Sequence, residues 1–189
     1  ELYKAGKLTN AHKELDTGLS AWNLAMGSQE LYDWLDAEPQ LFHPGDLDYI
    51  HSVERISKLS NVISINGGVQ LDLMGQENAE STGTRQLSGV GGQMDFLEGA
   101  YRSKGGKGFI CINSSRVTKD GERKSNILAT IPGGSTISAP RTMVQYVATE
   151  YGIASLSGKT LRERAEAMAS IAHPDFREEL MKYARENFK

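Results

Sequence analysis

The sequence predicts a mixed domain, α/β or α+β, in which a sheet is covered by helices. Short runs rich in β-branched residues and bounded by glycine, such as "NVISINGG" and "KGFICINSS", read as strands. The last thirty residues, "TLRERAEAMASIA" and "PDFREELMKYAREN", read as two helices with start signals of their own. Strands mixed with helices argue a sheet covered by helices.

Taken in order, Leu2–Ala5 is a helix end before Gly6, and Leu19–Met26 is a strand. Ser28 is an N-cap for a helix that places Leu31, Trp34 and Leu35 on one face and stops at Pro39. Residues 40–60 read as loop with one short helix. "NVISINGG" and "VQLDLMG" read as two strands joined tightly at Gly67-Gly68. Residues 83–92 form a glycine-rich loop, and "MDFLEGAYRS" follows as a helix. "KGFICINSS" is a mostly apolar strand of the buried kind, so Cys111 is expected to be an unreactive small hydrophobe. "KDGERKS" is a charged turn. "NILATI" and "STISAP" read as strands around Pro132-Gly133-Gly134, and "MVQYVATEYGIA" as a strand and its exit. No internal repeat or low-complexity tract occurs.

At 189 residues the chain suits one well-cored domain, residues 1–189. Its net charge of −3 is a poor prior for a nucleic-acid binder, which carries a basic excess. No apolar run approaches the ~20 residues that span a bilayer, so no membrane partner is expected. A single cysteine excludes an internal disulfide and fits a reducing cytoplasm. The chain opens on "ELYKAGKLTN" without Met, like a helix cut open, and is expected to be a piece of a longer protein. Dimers are the default among closed oligomers, so a homodimer is expected.

Several motifs have plain structural readings. "GIASLSGKT" ends like a phosphate-binding loop, yet five residues separate Gly152 from Gly158 where that motif needs four. Thr160 and Glu163 instead make an S/T-x-x-E capping box. His12, His43, His51 and His173 lack metal-ligand spacing, so no metal is expected. His173-Pro174 reads as a helix entry with Pro in the first turn. No G-x-S-x-G nucleophile elbow is present. A lone carboxylate such as Glu150 is more often solvated or paired than catalytic.

"SGVGGQMDF" stands apart. Three glycines in four positions give up backbone order unless something approaches the main chain or φ turns positive. Their N–H groups can converge into an anion-binding concavity or an oxyanion hole. A tight loop packed on a strand explains them equally well, and the loop by itself does not choose.

Longer stretches do. "NGGVQLDLMGQENAESTGTRQLSGVGGQMDFLEGAYRSKGGKGFICINSS" with "VQYVATEYGIASLSGKTLRERAEAMASIAHPDFREEL" resembles the C-terminal domain of the acetyl-CoA hydrolase/transferase family, nearest its 4-hydroxybutyrate and butyrate:acetate CoA-transferases. The markers run in order: Asn66 after a strand, the Gly89–Gly92 loop, "TEYGIA", "GKTLRERA" and "HPDFR". The resemblance implies an α/β fold with an open mixed sheet covered by helices, one of two related domains with coenzyme A between them. It implies transfer of coenzyme A from an acyl-CoA to a short-chain carboxylate through a glutamyl-CoA thioester. It also implies Gly89 as oxyanion donor, with Asn66, Gly91, Gly92 and Gln93 at the coenzyme A site.

One departure accompanies the match. The family's nucleophilic glutamate lies in an "(S/T)EM…DG" stretch that this sequence does not contain, and Glu1 falls after that position. The expectation is a chain without its N-terminal domain and inactive alone. Two other readings are an acetyl-CoA hydrolase, with water as acceptor, and a non-catalytic acyl-CoA-binding module.

Overall fold

A computed structural model describes residues 1–188. The chain begins with a small lobe in which β1 (Ser20–Trp22) pairs in parallel with β2 (Phe42–Pro44), with α1 (Gln29–Ala37) between them. β1 takes only the middle of the expected Leu19–Met26 strand, because its partner is equally short. Ser28 occupies the N-cap position of α1 through its backbone, and its side chain makes no capping bond. Residues 40–60 hold more structure than the expected single short helix. Besides β2 they form α2 (Leu47–Ile50) and α3 (Val53–Lys58), started by Asp46 and Ser52, whose side chains accept the Tyr49 and Arg55 backbone N–H groups.

Asp16 fastens this lobe together. Its carboxylate accepts from Arg55 Nη2 at 2.6 Å and the Tyr49 hydroxyl at 2.8 Å, and lies 2.9 Å from His43 Nδ1. Burial opposes the Asp16 charge, yet the bonds from Arg55, Tyr49 and His43 hold its carboxyl down to about 2.

β3 (Ile63–Gly67) and β4 (Gln70–Asp72) do not form the tight hairpin expected at Gly67-Gly68; they enter different sheets. The Gly68 N–H still donates to the Cys111 carbonyl, but the Val69 N–H turns to Asn78. The glycine is needed for close approach: a Cβ on Gly68 would lie 2.9 Å from both Glu77 Oε1 and Ile112. β4 pairs instead with β5 (Glu77–Asn78). The hairpin of β6 (Ser81–Thr82) and β7 (Arg85–Gln86) then leads to the glycine loop and α4 (Gln93–Arg102).

β8 (Lys107–Cys111) follows, and the charged turn is the tip of a hairpin between β9 (Ser115–Val117) and β10 (Arg123–Ser125). β11 (Ile127–Leu128) is all that "NILATI" contributes, in parallel with β4. "STISAP" is not a strand: only Ala139 bridges to Glu77 before Pro140 ends the pairing. β12 (Tyr146–Thr149) turns at Glu150-Tyr151 into β13 (Gly152–Ser155), so the expected exit is itself a strand. Both C-terminal helices form, α5 (Leu161–Ser170) and α6 (Pro174–Asn187), with Thr160 and Glu163 closing the capping box and His173 as the N-cap before Pro174.

The main sheet runs β13–β12–β8–β3, with three parallel strands and β13 antiparallel. It is thus an open mixed sheet of an α/β fold. Residues of alternate pleat separate its faces. Ile110, Val147 and Ala154 are buried in one core cluster with Leu97 of α4 and Ala165, Met168 and Ala169 of α5. Burying a leucine such as Leu97 contributes ~1.5–3 kcal/mol. On the opposite pleat Ile65 is 70% exposed, beside Phe109 and Tyr146, which stack at 4.9 Å. Arg164 locks the core edge by donating to the carbonyls of Met74, Leu156 and Arg141 at 2.7–2.8 Å. Among the described residues no helix is long and apolar enough to cross a membrane.

Candidate active site

The parallel strands β3, β8 and β12 all end at the same edge, the side on which open α/β sheets bind ligands. A cleft of about 440 Å³ lies there, lined by Gly68, Cys111, Ile112, Asn113, Ala148 and Thr149. Cys111 is therefore only half-buried, contrary to the expectation of a buried core residue. It is the last residue of β8 and sits on the uncovered pleat with Phe109. Just beyond, Glu150 accepts from the Ser114 N–H at 2.9 Å and its hydroxyl at 2.6 Å. Burial works against the Glu150 charge, but the Ser114 bonds keep the carboxyl below its ordinary value, so it stays ionised. Glu150 is thus paired, in line with the plain reading of it.

The glycine loop stands nearby on a fixed stem. The N–H groups of Leu87 and Ser88 both donate to the Glu80 carbonyl, at 2.6 and 3.2 Å. Beyond the stem, the N–H groups of Gly89, Val90, Gly91 and Gly92 donate to nothing within the described residues. Gly91 has φ +58°, the left-handed region that favours glycine, whereas Gly89 does not. Around Gly89 a Cβ would meet nothing within 4 Å, so its backbone is open to an incoming group. Gly92 is the N-cap of α4, and the unpaired N–H groups therefore lie at the positive end of a ten-residue helix. Such a loop can receive a phosphate or a developing oxyanion.

Asn66, near the end of β3, spends its amide locally by donating to Ser64 Oγ at 2.7 Å. Gln93, the first residue of α4, reaches away from the loop and donates to Glu77 Oε2 at 3.0 Å. Glu77 is fully buried and its Oε1 has no partner. Burial is the main cause that raises this carboxyl to about 7; Gln93 lowers it, and Glu80 adds to the rise. Because Oε1 lies against Gly68, Glu77 connects the β3 end, which bears Asn66, to the helix start, which bears Gln93.

Sequence reading missed Glu77, whose neighbours Asn78 and Ala79 give no catalytic spacing. It also missed His51. The His51 ring packs against Gly92 and Phe96, with Nδ1 3.4 Å from Asp95 Oδ2. It helps to line a cleft of about 720 Å³ together with Val90, Gly91 and Gly92. A signal was available in the Gly92 requirement, but only folding brings a residue 41 positions earlier beside it. A mostly apolar groove by Tyr3, Leu31 and Trp34 contains none of the predicted site residues. Among the described residues no group of three His, Cys, Asp or Glu side chains is placed to hold a metal ion.

The acetyl-CoA hydrolase/transferase C-terminal domain matches residues 27–184. That span holds Asn66, the glycine loop, Glu77, "TEYG" and the capping box. The chain belongs to the acetyl-CoA hydrolase/transferase family. Among curated relatives it is 44% identical over 184 residues to butyryl-CoA:acetate CoA-transferase of Anaerostipes caccae, covering 97% of this chain and 41% of that one. It is 45% identical over 188 residues to 4-hydroxybutyrate coenzyme A transferase of Clostridium kluyveri, covering 100% and 43%. Among solved structures, RipA from Yersinia pestis superposes with a TM-score of 0.87 at 39% identity, covering 98% of this chain and 41% of that one. The 4-hydroxybutyrate CoA-transferase of Porphyromonas gingivalis gives 0.80 at 37% identity, covering 99% and 42%. This acetyl-CoA hydrolase/transferase domain thus spans about two-fifths of the length of the relatives it matches.

Proposed function

We propose that this domain forms the carbonyl-binding half of a CoA-transferase that moves coenzyme A between an acyl-CoA and a short-chain carboxylate such as butyrate, 4-hydroxybutyrate or acetate. The observation that carries the reading is the set of unpaired N–H groups at Gly89–Gly92, of which Val90, Gly91 and Gly92 line a cleft at the start of α4. The named relatives at 44–45% identity are transferases, which favours a carboxylate acceptor over water.

In this scheme a glutamate supplied from outside these 189 residues attacks the thioester carbonyl, and the CoA thiolate leaves. The thiolate then attacks the glutamyl carbonyl of the resulting anhydride and releases the first carboxylate. A second carboxylate reverses both steps. Each step passes through a tetrahedral oxyanion that gains most from donors already in place. Gly89 supplies one donor, Gly91 gives the loop its turn, and Gly92 begins the helix. Asn66 and Gln93 border the coenzyme A side.

The test uses the protein that carries this sequence, assayed for exchange between butyryl-CoA and acetate, with hydroxylamine or borohydride trapping of the glutamyl thioester. Gly89→Pro removes an N–H and is expected to lower kcat by ~100-fold or more. A rate near wild type in that variant overturns the assignment of Gly89. The 189-residue chain alone is expected to bind coenzyme A weakly and to catalyse no exchange, since a half-walled site buries too little ligand surface.

A further inference from the structure

Glu77 has a cost that its packing does not explain. It is a fully buried carboxyl with one oxygen unpartnered, in a place where glutamine would fit the same space and carry no charge. Its backbone is clamped on both sides: the N–H donates to the Ala139 carbonyl, and the carbonyl accepts from the Ser138 and Ala139 N–H groups. The backbone that carries the carboxyl is therefore fixed in place. It extends between Gly68, at the end of the main sheet, and Gln93, the residue directly after the glycine loop.

We propose that Glu77 is a positioning residue of the acyl-transfer site, tying Gln93 and the glycine loop to the ligand-binding edge of the main sheet. The proposal deepens the CoA-transferase reading and rests on it. Among the described residues Gln93 is the only side chain that bonds the carboxyl; the Ala139 backbone N–H also favours its ionised form, and Gly68 faces it without charge. Glu80, in the same turn, is the charged neighbour, and its sign is repulsive. Among the described residues no cation compensates, so the carboxyl is held neutral up to about pH 7. Above that, Gln93 still favours the charged form, but the uncompensated buried charge disfavours this packing, and the carboxyl is drawn toward water at the expense of its tie to Gln93. The hold on the loop is thereby full below pH 4.5 and is lost as pH rises from there through about 7.

The experiment measures kcat against pH from 5.5 to 8.5 for butyryl-CoA and acetate exchange, together with hydrogen exchange of the residue 87–97 amides. Wild type is expected to lose rate on the alkaline side with a midpoint near 7, and the bonded amides at the ends of the loop, Leu87, Ser88 and Phe96, to lose protection over the same range. Glu77→Gln keeps an oxygen for Gln93 and is expected to retain the rate at pH 6 while the alkaline limb disappears. Glu77→Ala is expected to lower kcat by up to ~100-fold, the scale of a small misplacement of catalytic groups, and Gln93→Leu to do the same. The double variant is expected to be no worse than either, because the two act as one unit. His51→Gln is the control for the other titratable ring at the loop, and the limb is expected to persist in it. A limb that survives Glu77→Gln overturns the proposal, as does unaltered rate and loop exchange in Glu77→Ala. If Glu77→Ala does not fold, the Glu77→Gln profile still decides. If wild type shows no exchange at all, the transferase reading falls, and the loop protection profile continues to judge Glu77 separately.

Discussion

The His51 ring occupies the space in which a Cβ on Gly92 would stand, 2.0 Å from its Cε1 and 2.1 Å from its Nδ1. Neither partner can yield easily. The ring is held between Asp95 and Phe96, and Gly92 is pinned as the cap of α4. The three loop glycines are therefore not equivalent, and their alanine variants separate in a predictable order. Gly92→Ala must displace the ring or the helix start, at ~1–3 kcal/mol for overpacking, with a loss of coenzyme A affinity. Gly91→Ala forces a side chain to φ +58° and costs ~1–2 kcal/mol. Gly89→Ala meets nothing and stays within ~0.5 kcal/mol of wild type. Thermal melts and calorimetric titration of coenzyme A measure all three; equal effects at Gly89 and Gly92 contradict the geometry.

Asp16 makes the N-terminal lobe acid-sensitive. Its carboxyl lies at about 2 in the fold, below the ordinary 3.8. A depressed carboxyl contributes stability above its ordinary value, and that contribution is lost as pH falls through the interval from 3.8 to about 2. Asp16→Asn is expected to cost ~1.5–3 kcal/mol near neutrality, the scale for bonds to a charged group, and little at pH 2. Denaturant unfolding followed through the Trp22 and Trp34 fluorescence of the lobe checks this. An equal deficit at both pH values assigns the loss to shape and not to charge.

The Thr160–Glu163 box predicts a stability effect without a binding effect. The Glu163 N–H donates to Thr160 Oγ1 at 3.3 Å, and the Thr160 N–H to Glu163 Oε2 at 2.7 Å. Thr160→Ala is expected to cost ~0.5–2 kcal/mol and to leave coenzyme A affinity unchanged. A loss of nucleotide affinity at unchanged melting temperature revives the phosphate-loop reading of "SGKT".

Local chemistry explains which parts were legible in advance. The cap at Thr160, the entry at His173-Pro174 and the stop at Pro39 depend on residues within four positions of one another, and all three are where the sequence places them. α4 likewise begins directly after its glycines. "STISAP" and the Gly67-Gly68 junction misled for the opposite reason. Their alternation is compatible with a strand or a hairpin, and only the distant partners Glu77, Asn78 and Cys111 decide where each residue pairs.

By itself the sequence determined a sheet covered by helices, the bounds of α1, α4, α5 and α6 and the glycine loop as the exceptional backbone feature, because these follow from residue type and short spacing, while resemblance over longer stretches pointed to the family and its α/β class. Tertiary structure alone decided which strands share the main sheet, that Cys111 lies at a cleft, and that His51 packs on Gly92 while Glu77 bonds Gln93. The physical reason lies in what each feature depends on. A cap or a turn is settled by bonds to the nearest few residues, whereas burial, a shifted carboxyl and a shared cleft are properties of packed neighbours far apart in the chain.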